Sequence, residues 1–116
     1  MHLSSYLFFT TTCEQALEFY TRCELGHVAE VLRFGVDGMP VHNEAMRNKT
    51  MHAKFEGPGV LFFASDSDDA EPMRGSAHIL QMNDRDRTKQ LFDRSLQNVY
   101  VSFGELNGAS LLARTV

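Results

Sequence analysis

The sequence predicts an α+β fold built from two successive modules, of which the second is one strand shorter than the first. Three observations predict it: hydrophobic alternation typical of strands, two segments of helical periodicity, and a strand–helix–strand order that recurs at matching spacing. The predicted order is β-α-β-β-β in module one, about residues 1–66, and β-α-β-β in module two, about residues 75–116. A length of 116 residues fits a single domain that contains both modules.

Module one opens with an aromatic-rich strand at residues 3–9, followed by a helix with apolar residues at helical spacing. Thr12 and Gln15 fit a capping box, which predicts a helix start near Cys13, and Gly26 predicts a left-handed stop. Residues 35–49 are rich in turn formers and predict a long loop. The other strands are predicted at 27–34, 50–56 and 60–65, the last two joined by a turn at 57–59.

Module two is predicted to begin after an acidic loop, with a strand at residues 76–82 and a helix that Asn83 or Asp84 caps. This helix runs to about Leu96, and its predicted core-facing residues are Leu91, Phe92 and Leu96. Two further strands are predicted at 98–103 and 109–116, joined by an Asn107-Gly108 turn. We expect the missing last strand to leave an exposed sheet edge.

Composition and charge exclude several classes of protein. With 43% hydrophobic and 22% charged residues the chain is a globular one, and a net charge of -4 provides no basic field for nucleic acid. No apolar run approaches the roughly 20 residues of a membrane-spanning helix, and no basic leader precedes the first strand, so we expect a cytoplasmic protein. Cys13 and Cys23 would lie about 15 Å apart along one helix, which predicts reduced, packed thiols. A helix start can lower the pKa of the Cys13 thiol, although no partner for it is identifiable.

Two histidines are the candidates for chemistry. His52 shares a predicted strand face with Lys54 and Glu56, and a histidine beside a carboxylate can shuttle protons near neutral pH. The alternative is a solvated polar face. His78 lies on a predicted core strand, where the alternative is a packed, hydrogen-bonded residue. The candidate catalytic residues are therefore His52, Glu56 and His78.

Two other groups of residues favour structural roles. The acidic residues Asp66, Asp68, Asp69 and Glu71 lack the spacing of a calcium-binding loop and predict a solvated loop. Aromatic residues on the predicted strands favour a core, but strand alternation places some of them on the opposite face, where an apolar pocket would need them. These residues are Tyr6, Phe8, Phe9, Phe62 and Phe63.

Four segments in order resemble the PhnB-like, glyoxalase-like branch of the vicinal oxygen chelate superfamily, which includes bleomycin resistance proteins and dihydroxybiphenyl dioxygenases. They are SYLFF, CEQALEFY, TMHAKFEGPGVLFFASD and KQLFDRSL, and together they cover about the first 100 residues. The resemblance implies paired βαβββ modules that form a cupped mixed sheet, with an active site in the cup. It also implies a homodimer, in which we expect a second chain to cover the exposed edge.

Metal-dependent members of this superfamily hold one divalent cation with histidine and carboxylate side chains from the first and last strands of both modules. The resemblance places the matching positions at Ser5, near Phe63, and at Ala77 or His78, with the fourth on a final strand that the chain lacks. Serine and phenylalanine are unsuited to the role, so we expect no metal site and no cofactor.

The leading hypothesis is a glyoxalase-fold protein that binds a small apolar or amphipathic molecule in its cup. One alternative is a metal-dependent lyase, dioxygenase or thiol transferase that uses His52, Glu56 or His78 in a shifted site with zinc, nickel, manganese or iron. Another is a structural or interaction module without a small ligand.

Overall fold

The computed structural model describes residues 1–71, 78–82, 84–95, 100–106 and 109–115, which form two compact units, 1–71 and 72–116. The strands and helices follow the predicted order, with one additional 3₁₀ turn at Glu44–Met46 inside the predicted loop. The first unit contains β1 (Ser5–Phe9), α1 (Cys13–Arg22), β2 (His27–Arg33), β3 (Thr50–Gly57) and β4 (Val60–Asp66). The second contains β5 (His78–Met82), α2 (Arg85–Ser95), β6 (Tyr100–Leu106) and β7 (Ala109–Thr115). The α+β class predicted from the sequence is confirmed.

The first unit is a mixed four-stranded sheet in the order β1-β4-β3-β2, with α1 packed on one face. β1 runs parallel to β4, whereas β4 and β3, and β3 and β2, are antiparallel. β3 and β4 form the predicted hairpin, with Gly57 paired to Val60 and Gly59 in the left-handed region at φ 71°. Parallel strands need a long crossover connection because a tight turn cannot join them. Here the connection between β1 and β4 contains α1, β2 and β3.

The hydrophobic core lies between the sheet and α1. Phe55 is fully buried, stacked on Phe62 at a centroid distance of 5.0 Å and in edge contact with Tyr20 at 6.0 Å. Each large apolar side chain removed from water contributes roughly 1.5–3 kcal/mol. The other buried apolar residues of this unit are Leu7, Phe9, Cys13, Leu17, Cys23, Met46, Ala53 and Ala64.

The N-terminus of α1 is capped from a distant strand. The helix begins at Cys13 as predicted, but the Thr12 side chain makes no capping hydrogen bond, so the predicted capping box is wrong. The carboxylate of Asp66, at the end of β4, instead accepts hydrogen bonds from the backbone N–H groups of Cys13 (3.0 Å) and Thr50 (3.1 Å). A carboxylate at this position satisfies an otherwise orphaned amide and interacts favourably with the helix dipole. Asp66 is 2% exposed and is thus a structural residue, not part of a solvated loop.

The C-terminus of α1 also differs from prediction, since the left-handed residue after the helix is Glu24 (φ 60°). Gly26 has a different role, because a Cβ there would lie 2.3 Å from the carbonyl oxygen of Glu56. A Cβ on Gly57 would likewise lie 2.1 Å from the carbonyl oxygen of Leu25. The two glycines therefore permit a close backbone crossing where the α1–β2 connection meets the end of β3.

Both cysteines are free and buried, as predicted. The expected lowering of the Cys13 pKa is wrong: burial of the thiol and the nearby Asp66 carboxylate raise its pKa to about 12. The charge of Asp66 and the loss of solvation outweigh the helix terminus, so Cys13 is a protonated thiol at neutral pH.

In the second unit, β5, β7 and β6 form an antiparallel sheet in that order, and α2 packs against β6 and β7. β5 pairs directly with β7, and within the described residues β5 and β6 each pair with one strand only. The expectation of an exposed edge stays a prediction.

The predicted start of α2 is confirmed at Asp84, whose side chain accepts a hydrogen bond from the Arg87 backbone N–H at 3.1 Å. Leu91 is buried, as predicted. Asn83, Leu96, the Asn107-Gly108 turn and the side chain of Phe92 lie outside the described residues. Neither described helix is long and apolar enough to cross a membrane.

Candidate functional site

The face of the first sheet that points away from α1, called here the open face, carries two of the three side chains predicted to be functional, His52 and Glu56. The register aligns Tyr6, Phe63 and Lys54 in one row across β1, β4 and β3. The next row along the strands consists of Leu7, Ala64 and Ala53, whose side chains point to the opposite face of the sheet. All three are buried on the side of the helix.

An aromatic cluster of Tyr6, Phe8, His52 and Phe63 occupies the open face. The ring of Tyr6 stacks with Phe8 at 4.9 Å and with Phe63 at 6.3 Å, and Phe63 stacks with His52 at 5.6 Å. Tyr6 is 40% exposed and Phe8 is 53% exposed. Grouped exposed rings of this kind mark binding surfaces more often than isolated ones.

His52 forms its polar contact with Tyr6, since the Tyr6 hydroxyl lies 3.1 Å from Nδ1 of the imidazole. Sequence reasoning did not identify this partner. The signal for it was the alternation of Tyr6 and Phe8 in β1, but the pairing of β1 with β4 and of β4 with β3 is what brings the hydroxyl to His52.

Ser65 adds a buried hydroxyl to the same face. It pairs with Phe8 on β1, and continuing the β3–β4 register places it opposite His52. Ser65 is only 5% exposed, and its hydroxyl forms no hydrogen bond with another residue in the described part of the chain. A buried hydroxyl without a partner is costly, which favours a ligand or water as its partner.

Glu56 shares the open face with His52 but does not approach it. Four residues along a strand separate the two Cα atoms by about 13 Å. The Glu56 carboxylate instead pairs with Lys54 at 3.2 Å and with His27 at 3.8 Å, at an exposed site. The structure therefore does not assemble the histidine–carboxylate proton shuttle suggested by the sequence.

The residues at the implied metal positions do not fit a metal ion. Ser5 shares the helix side of β1 with Leu7 and Phe9, while Phe63 is an apolar ring stacked on His52. His78 begins β5 in the second unit, where it is exposed and pairs with Arg114, and Ala77 lies outside the described residues. Over the described ranges no three histidine, cysteine, aspartate or glutamate side chains are grouped as metal ligands.

A separate groove of about 480 Å³ lies on the helix side, between α1 and β2. One helix, about 10 Å wide, covers only part of a four-stranded sheet about 15 Å across, which leaves Val28 and Val31 half-exposed. An ion pair between Glu14 and Arg33 (2.8 Å) borders this groove. The described residues that line it include no aromatic ring, in contrast to the open face.

Comparison with solved structures assigns this arrangement of strands and helices to the glyoxalase-like fold of PhnB-like proteins. Protein PA1353 from Pseudomonas aeruginosa is 23% identical, with a TM-score of 0.70, covering 91% of this chain and 81% of its own. A PhnB protein from Bacillus cereus, provisionally named a 3-demethylubiquinone-9 3-methyltransferase, is 17% identical with a TM-score of 0.66, covering 92% and 84% of the two chains. No protein-family model and no curated protein match the sequence. The resemblance seen in the sequence is thus confirmed at the level of the fold.

Proposed function

We propose that this protein binds a small apolar or amphipathic molecule on the open face of its first sheet. The observation that carries the proposal is the exposed aromatic cluster around His52, on strands whose other face carries the buried core beneath α1. A ligand that removed about 100 Å² of this apolar surface from water would gain about 2.5 kcal/mol before the costs of association.

We also propose that binding needs no metal ion and no cofactor. The contacts of the Glu56 carboxylate, with Lys54 at 3.2 Å and with His27 at 3.8 Å, speak against a cation held jointly by His52 and Glu56. We do not extend the methyltransferase name to this chain, because its sequence has no glycine-rich nucleotide-binding loop.

Metal analysis of protein purified without a chelator separates this proposal from the shifted-site enzyme. We expect substoichiometric zinc, nickel, manganese and iron, unchanged in the His52→Ala variant. One equivalent of metal that is lost on the His52→Ala substitution would support a metal-dependent lyase, dioxygenase or thiol transferase instead.

We include two further statements in the same proposal: the protein is cytoplasmic, and it is a homodimer. Two free, buried thiols suit a reducing compartment, where disulfides are rare. Light scattering at micromolar concentration tests the dimer, and a strictly monomeric mass would contradict it.

A single-tryptophan reporter tests the location of binding, because the natural chain contains no tryptophan. In Phe8→Trp the only indole lies on the open face, where energy transfer to bound anilinonaphthalene sulfonate, an amphipathic dye, should quench it strongly. Val36→Trp is the matched control, since Val36 is a similarly exposed (41%) apolar residue in the β2–β3 loop. Equal transfer in both variants, or no binding of the dye to the folded protein, would contradict the proposal.

A further inference from the structure

We infer that the ligand of the open face is a planar aromatic molecule with an oxygen that accepts hydrogen bonds, as in an aromatic carboxylate. This inference rests on the proposed function and specifies the class of its ligand.

The planarity of the ligand follows from the orientation of the rings. The stacked pairs Tyr6–Phe8, Tyr6–Phe63 and Phe63–His52 have interplanar angles of 29°, 20° and 25°. Phe8 stacks on Tyr6 as the most exposed ring, while Tyr6, Phe63 and His52 lie beside one another, with the Tyr6 and His52 rings 5.9 Å apart and tilted by 43°. A flat ring can extend that stack, whereas a puckered ring cannot contact it over its whole area. Stacking of this kind contributes a factor of about 2 to 12 in affinity beyond buried area alone.

The need for an acceptor follows from the hydrogen bonds of His52. When the phenolic hydroxyl of Tyr6 donates to Nδ1, the neutral imidazole carries its proton on Nε2. Protonation of the imidazole adds a hydrogen to Nδ1, so Nε2–H is a donor in both forms of the ring. Within the described residues no acceptor contacts Nε2.

Ser65 provides a second donor in the same row. Its hydroxyl is buried opposite His52 and has no partner among the described residues. Lys54, by contrast, already pairs with Glu56 at 3.2 Å, so its charge is partly compensated. Nε2–H can only donate and the Ser65 hydroxyl can donate or accept, so an oxygen of the ligand satisfies both groups, whereas an ammonium group would satisfy Ser65 alone.

Three probes of one size separate these requirements when titrated into the full chain by calorimetry or saturation-transfer NMR. We expect 2-naphthoate to bind at least about 10-fold more tightly than decahydro-2-naphthoate, its saturated analogue, and than 2-naphthylmethylammonium. Equal affinity for the saturated acid would overturn the planar requirement, and equal affinity for the ammonium would overturn the acceptor requirement.

Substitution of His52 tests whether its Nε2–H is the group that donates a hydrogen bond to the ligand. His52→Phe keeps a ring for stacking but removes Nε2–H, so we expect 2-naphthoate to bind about 10-fold more weakly with the thermal midpoint little changed. His27→Phe is the control, since it removes an exposed histidine from the edge strand of the same sheet. Unchanged binding in His52→Phe, or an equal loss in His27→Phe, would contradict the inference.

The failure of this inference is distinguishable from the failure of the proposed function. If anilinonaphthalene sulfonate quenches Trp at position 8 while the three probes bind equally, the open face binds small molecules without this selectivity. If neither the dye nor any probe binds, both proposals are wrong.

Discussion

The two faces of the first sheet both carry stacked aromatic rings, but the rings are buried on one face and exposed on the other. On the helix side, Phe55 and Phe62 stack within a core closed by Tyr20. On the open face, Tyr6, Phe8 and Phe63 stack in the same way but leave rings exposed to solvent. Alternation along each strand separates the faces, so neighbouring aromatic residues belong to different environments. The buried core is therefore concentrated on the helix side, and the open face is where we propose that the ligand binds.

The largest difference between the faces should come from truncating the most buried ring. We expect Phe55→Ala to lower the free energy of unfolding by about 3–5 kcal/mol, because it removes a fully buried side chain and leaves a cavity between Phe62 and Tyr20. Urea unfolding followed by circular dichroism measures this. A loss below about 1 kcal/mol would show that the helix side is not the main core.

Replacing the capping carboxylate of Asp66 should have the second-largest effect on the free energy of unfolding. Asp66→Asn retains the shape but turns an acceptor into a donor that faces a backbone N–H, so we expect a loss of about 1–3 kcal/mol. Asp69→Asn, an exposed change three residues further on, is the control and should have little effect. Equal stability of Asp66→Asn and the natural chain would refute the capping role.

The Cys13 thiol, which lies on the helix side, should make the free energy of unfolding depend on pH. Its pKa is raised to about 12 in the folded state from an ordinary value of 9.0, because the thiol is buried, so the folded state keeps its proton to higher pH than the unfolded state does. Stability from this group is fully present below pH 9 and falls as pH rises toward 12, by up to about 1.4 kcal/mol per pH unit. Unfolding at several pH values should show a shallower decline for Cys13→Ala. Parallel declines for both proteins would contradict the assignment.

The smallest effect on stability is expected on the open face. Phe8→Ala should change the free energy of unfolding by less than about 0.5 kcal/mol, because the ring is 53% exposed and contacts mainly Tyr6. The same variant should bind anilinonaphthalene sulfonate more weakly. A loss of stability comparable with that of Phe55→Ala would mean that the open face is itself a core surface.

Local patterns predicted much of this arrangement. The alternation of residues 50–56 correctly separated His52, Lys54 and Glu56 from Ala53 and Phe55, since strand periodicity is a local property. The position of Asp66 beneath α1 was beyond such reasoning, because the contact with Cys13 spans 53 residues. The Tyr6–His52 contact was inaccessible for the same reason, as it depends on which strands become neighbours.

The bond between Asp66 and the start of α1 has a consequence for the order of folding. Ten residues are too few for a helix to be stable alone in water, and α1 gains its capping acceptor only when the end of β4 has reached it. The helix should therefore consolidate late, after the pairing of β1 with β4 has closed the chain between them. Phi values near zero at Cys13 and higher values in the β3–β4 hairpin would be the kinetic signature of this sequence of events.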